Sequence, residues 1–279
     1  MAKFDEGEPS QFQDRMLSLS TKEGSLRMVL PRLIPLVTLL NQNVVKTVQF
    51  SDPKYIGDPI NTVALFSELM ANEICLLDIG KSHNEPRVSL NYIETLANNC
   101  SVPLSYGGGI SNLQKVHEVL SLGVDKLVIK NSWRDMNLIH TTASIYGAQS
   151  ICICLEVQAI DSKIMINGEL FAFNELEDIL IQLEEAGMGE LMILDRNMEG
   201  TRSGFSQMTV TSFSRQILGI PMIISGGFSN FKTAADIVTM LNLQGAMVGS
   251  AAIYHRNSNS VLINYPTRNE WKELCKVNS

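Results

Sequence analysis

From residue 33 onward the chain alternates short apolar runs with longer amphipathic stretches. The apolar runs cover residues 33–39, 74–79, 102–106, 126–129, 151–155, 191–194, 221–224 and 246–248, and are rich in Val, Ile and Leu. Such runs are of strand length and lack the alternation of a half-solvated strand, so they read as strands buried on both faces. Between them, residues 58–71, 89–99, 112–122, 174–186, 206–218 and 230–241 carry apolar positions at helical spacing. Strand and helix in alternation predict a parallel sheet with helices on its outside, and eight such units predict a closed (β/α)8 barrel. An open doubly wound sheet is the other arrangement compatible with this order, but it leaves an internal repeat without a reason. Residues 41–57 read as a long first loop. Residues 1–27 are polar and charged and read as a disordered extension, leaving 28–279 as one barrel domain.

The repeat lies in Val102-Pro-Leu-Ser-Tyr-Gly-Gly-Gly-Ile-Ser-Asn112, which returns as Ile220-Pro-Met-Ile-Ile-Ser-Gly-Gly-Phe-Ser-Asn230. Pro103 recurs as Pro221, Gly108 and Gly109 as Gly226 and Gly227, and Asn112 as Asn230. Each copy is a buried strand that breaks at glycines and opens a helix at an Asn cap. Glycine lets the backbone approach a ligand, and the free N–H groups of the next helix attract anions. Two such turns in a half-barrel duplication point to a ligand with a phosphate at each end. The same glycines would serve equally as tight strand-to-helix turns.

Composition narrows the classes further. A formal net charge of −7 disfavours nucleic acid or an anionic membrane as principal partner. Three of the five cysteines, Cys75, Cys152 and Cys154, fall in apolar strand runs, and no His/Cys cluster gives a metal spacing. They read as small core residues in a reducing cytosol. No apolar run reaches membrane-spanning length, and neither a metal nor a cofactor is expected. A loop histidine, His83, has no companion ligand.

A set of motifs in a fixed order carries a family resemblance. Ile34-Pro-Leu-Val-Thr38, Val44-Val-Lys46, Leu77-Asp-Ile-Gly-Lys-Ser-His83, Gly107-Gly-Gly-Ile110, Asp125-Lys126, Gly187-Met-Gly-Glu190, Gly200-Thr-Arg-Ser-Gly204 and Ser225-Gly-Gly227 run through the barrel. Together they resemble the cyclase subunit of imidazole glycerol phosphate synthase, the HisF type, over residues 28 to 256. The resemblance implies a cytoplasmic heterodimer with a glutaminase that supplies ammonia. It also implies a bis-phosphorylated ribulosyl aminoimidazole nucleotide as substrate, cleaved and cyclised to imidazole glycerol phosphate in histidine biosynthesis. The chain reads as a divergent second copy of that subunit.

Residue roles follow from the same resemblance. Gly108 and Gly109 match one phosphate cradle, with Val128 and Lys130 standing where the family carries a small hydroxyl and an amide. Gly226, Gly227, Gly249 and Ser250 match the other cradle, with Gly200 and Thr201 beside it. Lys46 matches the lysine of the first loop that reaches over substrate. Asp78 matches an aspartate that binds substrate or holds a loop. Arg32, Glu73, Lys126 and Glu190, each just before an apolar strand, match a ring of ion pairs that gates ammonia at the barrel floor. Asp125 matches an acidic contact to the glutaminase.

The acid/base positions depart from the family. Its two catalytic aspartates correspond here to Thr38 and Glu156, or to Asp161 if the register shifts after Gln149, and Asn197 and Glu199 replace aspartates further on. A hydroxyl needs a partner to take its proton before it can act as a base, and a carboxylate moved by a methylene is misplaced for one. The expectation is a cyclase of reduced turnover. The competing expectation is a conduit that passes ammonia from a glutaminase to a nucleotide-sugar amidotransferase of surface polysaccharide synthesis. The sister isomerase of the pathway shares the barrel and the cradles, but has no use for an ammonia gate.

Overall fold

The computed structural model describes residues 30–80, 87–161, 163–206, 209, 213, 219–255 and 260–275. The 1–27 extension and His83 lie outside these residues, as does most of the 206–218 helix expected from the sequence.

Eight parallel strands close on themselves: β1 (Arg32–Leu40), β4 (Ile74–Asp78), β5 (Leu104–Gly107), β6 (Lys126–Ile129), β7 (Ile151–Ile160), β10 (Glu190–Asp195), β11 (Met222–Ser225) and β12 (Gly245–Val248). The last strand β12 pairs with the first, β1, and the pairing of β10 with β7 completes the ring. The fold is the expected (β/α)8 barrel. Around it run α1 (Pro59–Glu68), α2 (Leu90–Asn98), α3 (Leu113–Leu120), α4 (Met136–Tyr146), α5 (Leu176–Glu185) and α6 (Phe231–Met240), with α7 (Ser250–Ile253) and α8 (Arg268–Leu274) at the end. Each of α1, α2, α3 and α6 starts where a side chain accepts a bond from its first turn: Asp58, Ser89, Asn112 and Asn230 respectively.

Side chains of the barrel strands alternate between two cores. Leu33, Val37 and Leu39 of β1 face the helices, whereas Ile34 and Leu36 join Cys75, Val128, Cys152, Cys154, Met192, Leu194, Ile223 and Met247 inside the barrel. Burial holds the thiols neutral: the Cys75 and Cys152 pKa values lie well above the usual range, and that of Cys154 is pushed up to about 12.

The duplication is also written in the backbone. Gly109 and Gly227 both adopt left-handed φ, +66° and +72°. Asn112 and Asn230 are extended at φ −162° and −160°, and their side chains accept from Lys115 N and Thr233 N at 2.9 and 3.0 Å.

Two differences from the expected elements matter for the site. The stretch 41–57 is not a loop: β2 (Asn43–Val48) and β3 (Ser51–Gly57) extend antiparallel from β1. In the second half, β8 (Lys163–Ile166) and β9 (Glu169–Ala172) extend antiparallel from β7. The β8–β9 turn is Asn167-Gly168 with φ +50° and +91°, a pair that supplies the left-handed residues a two-residue hairpin requires. β7 itself runs on to Ile160. Glu156 lies inside the strand, and Asp161 sits exposed in the turn beyond it.

Candidate functional site

At the mouth where the strands begin, Arg32, Glu73, Lys126 and Glu190 form a closed circuit. The Arg32 guanidinium donates to Glu73 at 2.9 Å and to Glu190. The Lys126 ammonium donates to the carboxylates of Glu73 at 3.0 Å and Glu190 at 3.1 Å. The two glutamates are nearly fully buried. Burial alone would lower the pKa values of both cations, but the two carboxylates outweigh it and hold Arg32 and Lys126 above their ordinary values. Two positive and two negative charges cancel, the condition under which ionised groups survive in a low-dielectric interior. Asp125 is exposed beside the ring, and its carboxylate also accepts from Leu104 N at 2.8 Å.

Among the described residues, two cavities open at the opposite mouth. The larger, about 340 Å³, is lined by Asp78, Arg87, Gly107, Gly108, Gly109, Lys130, Asn131, Glu156 and Arg196, with Phe50 and aliphatic side chains. Gly108 and Gly109 lie on its wall with little room beside them, since a Cβ on Gly108 would meet the Tyr106 hydroxyl at 2.6 Å. A Cβ on Gly109 would lie 2.7 Å from Arg87 Nε, so the arginine rests directly against the bare backbone. Asp78 is a loop-holder in this structure: its carboxylate accepts from Gly80 N, Val88 N and the Tyr106 hydroxyl, and its backbone oxygen accepts from Arg87.

Glu156 is placed on the wall of that cavity, but not as a free acid or base. Its two oxygens are taken by Lys130 and Arg196, one each. The backbone around it is fixed by Asn167, whose side chain accepts from Glu156 N at 2.7 Å and donates to Cys154 O and Lys130 O. Thr38 shares the inward parity of Ile34 and Leu36 and is buried, yet it lines neither cavity. The two positions expected to carry acid and base therefore hold a buried hydroxyl and an ion-paired glutamate.

The smaller cavity, about 20 Å³, is lined by Leu36, Lys46, Glu199, Arg202, Ser225, Gly226, Gly227, Phe228, Gly249 and Ser250. All four residues expected for the second cradle are here. Gly200 and Thr201 are not. Gly200 packs under the β2–β3 hairpin, where a Cβ would meet Thr47 O at 2.0 Å, and Thr201 donates into its own turn at Met198 O. Lys46 departs most from its expected place. It is not an exposed loop residue but 5% exposed within β2, its ammonium 3.1 Å from Leu36 O. Burial lowers its pKa to about 8 against the opposing pull of Glu199.

Sequence reasoning passed over Arg87, Arg196, Asn131 and Asn167. Arg196 and Asn131 follow β10 and β6 within two residues, where a barrel keeps its chemistry, and that position was the available signal. Nothing in the sequence pattern marks Arg87 or the inward reach of Asn167. Among the described residues no cluster of His, Cys, Asp and Glu has a metal-binding arrangement, and no helix is long and apolar enough to cross a membrane.

Paired glycine turns at one mouth and a self-neutralising charge ring at the other define a half-barrel-repeat (β/α)8 protein. The model of the family described as histidine biosynthesis protein matches residues 32–259. A Leptospira borgpetersenii protein with the printed name “Putative imidazole glycerol phosphate synthase subunit HisF” is 34% identical over 253 residues, 88% of this chain and 99% of its own length. A Vibrio vulnificus relative with the same name ending in hisF3 is 33% identical over 259 residues, 90% of this chain and 98% of its own. The imidazole glycerol phosphate synthase subunit HisF of Staphylococcus carnosus is 28% identical over 244 residues, 84% and 93% of the two chains. The chain belongs to the histidine biosynthesis protein family, as a divergent member of its HisF-type cyclase subunits.

Proposed function

We propose that this protein accepts ammonia from a glutaminase subunit through its charged floor and uses it in the family's lyase and cyclisation reaction at reduced turnover. The observation that carries the reading is the closed ring of Arg32, Glu73, Lys126 and Glu190. An isomerase or a plain sugar-phosphate barrel has no use for two buried carboxylates paired with two cations across its floor. Asp125, exposed beside Lys126, is the contact offered to the glutaminase in this reading.

At the other mouth a bis-phosphorylated nucleotide would lie across the two cradles, one phosphate at Gly108 and Gly109 and the other at Gly226, Gly227, Gly249 and Ser250. Arg87 and Lys46 are the cations beside them. Ammonia addition, bond cleavage and ring closure each move a proton, and a positioned acid/base group contributes about 100- to 10,000-fold to such a step. Glu156 and Thr38 are the residues at those positions. Both Glu156 oxygens are engaged by Lys130 and Arg196, and position 38 offers only a hydroxyl where the family carries a carboxylate, hence the reduced rate.

A second reading is favoured by the same Glu156 pairing. A barrel that keeps its ammonia entrance and disables its acid/base pair serves as a conduit, handing ammonia to a nucleotide-sugar amidotransferase. Purified protein assayed with the family substrate and an ammonium salt separates the two. Slow formation of imidazole glycerol phosphate supports the enzyme. Stimulation of a co-expressed glutaminase with no imidazole product supports the conduit, and turnover at the rate of an ordinary cyclase removes the inference drawn from Thr38 and Glu156.

A further inference from the structure

The second cradle contains a charge that its glycines and hydroxyls do not explain. Lys46 Nζ lies close enough to Gly249 that a Cβ there would sit 2.6 Å away. Two other charged residues line this cavity, Glu199 and Arg202, and the Arg202 guanidinium lies 5.2 Å from the centroid of the Tyr254 ring. The remaining lining residues, from β1, the β11 turn and the start of α7, carry no charge. Glu199 is the acid that faces Lys46.

Glu199 has a second set of contacts. Both of its carboxylate oxygens accept from the Thr47 hydroxyl at 3.2 Å, and one accepts from Phe50 N at 2.9 Å. Its backbone oxygen accepts from Gln49 N at 3.0 Å, and the Gln49 amide donates to Asn197 O at 2.8 Å. The turn of the β2–β3 hairpin, with Gln49 and Phe50 at φ +53° and +58°, is laced to the loop after β10 largely through this one residue. Thr47 neighbours Lys46 in the strand, so fastening one holds the other. Phe50, at the end of the same turn, packs on the barrel interior and lines the larger cavity.

We infer that Glu199 is a positioning residue for anion capture in the second cradle: it fastens the β2–β3 hairpin across the barrel mouth and holds the Lys46 ammonium where a phosphate group would bind, without contacting the phosphate. The inference rests on the reading that this cradle takes a phosphate. A carboxylate repels that anion, so its contribution runs through the lysine, favouring the charged ammonium against the cost of burial.

The test uses the full chain and inorganic phosphate, titrated calorimetrically between pH 6 and pH 9. Glu199→Gln keeps an oxygen for Thr47 and Phe50 but removes the charge. It is expected to weaken binding about five- to tenfold at pH 7.5 and to move the alkaline limb of the profile to lower pH. Glu199→Asp restores the wild-type midpoint. Glu199→Ala is expected to speed amide exchange at Phe50 about tenfold. A wild-type pH profile in Glu199→Gln, or unchanged exchange in Glu199→Ala, overturns the inference. If wild type takes up no phosphate, or Lys46→Gln takes it up equally well, the cradle reading itself fails, while the exchange measurement still reports on the fastening.

Discussion

The ammonium of Lys46 occupies the space that any side chain at position 249 would need, with 2.6 Å between Nζ and the place of a Gly249 Cβ. Gly249 has φ −95°, outside the left-handed region, and the steric conflict of a Cβ there is with the lysine, the next atoms lying at 3.6 Å or beyond. Gly249→Ala is expected to push Lys46 out of the cradle and weaken phosphate binding about tenfold, with a melting temperature within about 2 °C of wild type. Calorimetry and thermal unfolding read the two effects separately. Undiminished phosphate binding would remove Lys46 from the cradle.

The same lysine sets a pH dependence. Its folded pKa, lowered by burial to about 8, lies below the value of an unfolded lysine. Between the two the unfolded chain holds more protons, so the destabilisation from burying the ammonium is full below pH 8 and fades as pH rises. Anion binding runs the other way and is expected to fall about tenfold per unit above pH 8 as the ammonium is lost. Phosphate titrations at pH 7 and pH 9 check this, and a flat profile contradicts it.

Glu190→Gln leaves Arg32 and Lys126 sharing one carboxylate. Removing one partner from a buried ion pair costs about 3–5 kcal/mol, and the partial exposure of Arg32 places this case at the lower end. Adding Lys126→Met to that variant is expected to restore part of the loss by removing the unpaired charge. Urea unfolding measures both. Because Arg32 and Lys126 are held above their ordinary pKa values, the ring's contribution persists below the unfolded lysine value and disappears only as pH rises through the folded one. A loss under about 1 kcal/mol in Glu190→Gln would mean the ring is not a coupled unit.

Thr38→Asp alone returns one carboxylate to the mouth but leaves Glu156 paired with Lys130. Thr38→Asp with Lys130→Asn is therefore expected to raise imidazole glycerol phosphate formation more than either change alone, on the order of 10- to 100-fold over wild type. Assays with an ammonium salt and no glutaminase isolate the chemical step. Equal rates in all four proteins would point to the conduit reading.

The parts of this molecule that were legible in its sequence are those set by periodicity and by strand position. All eight barrel strands fall on apolar runs because a strand buried on both faces leaves no room for polar residues. The ring of Arg32, Glu73, Lys126 and Glu190 was legible because strand starts map onto one mouth. The hairpins were not. Residues 41–57 are polar enough to read as loop, and only pairing with β1 makes β2 and β3 strands. With the hairpin unseen, Lys46 read as a loop residue, and its place in β2 depends on a hairpin fastened through Thr47 and Phe50 to Glu199, more than 140 positions away. The pairing of Glu156 with Lys130 and Arg196 likewise joins three strands that no local pattern connects.

Between the charged floor and the glycine turns, the barrel interior is mainly aliphatic, thioether and thiol, with the hydroxyls of Thr38 and Ser105, and burial keeps those thiols protonated. An ion entering that zone would trade its hydration for a lining with no opposite charge, a cost of several kcal/mol. A small neutral base avoids most of that cost. In the proposed function such an interior would select for protonation state before size: an amine nitrogen entering from the floor would leave its extra proton behind in the water outside.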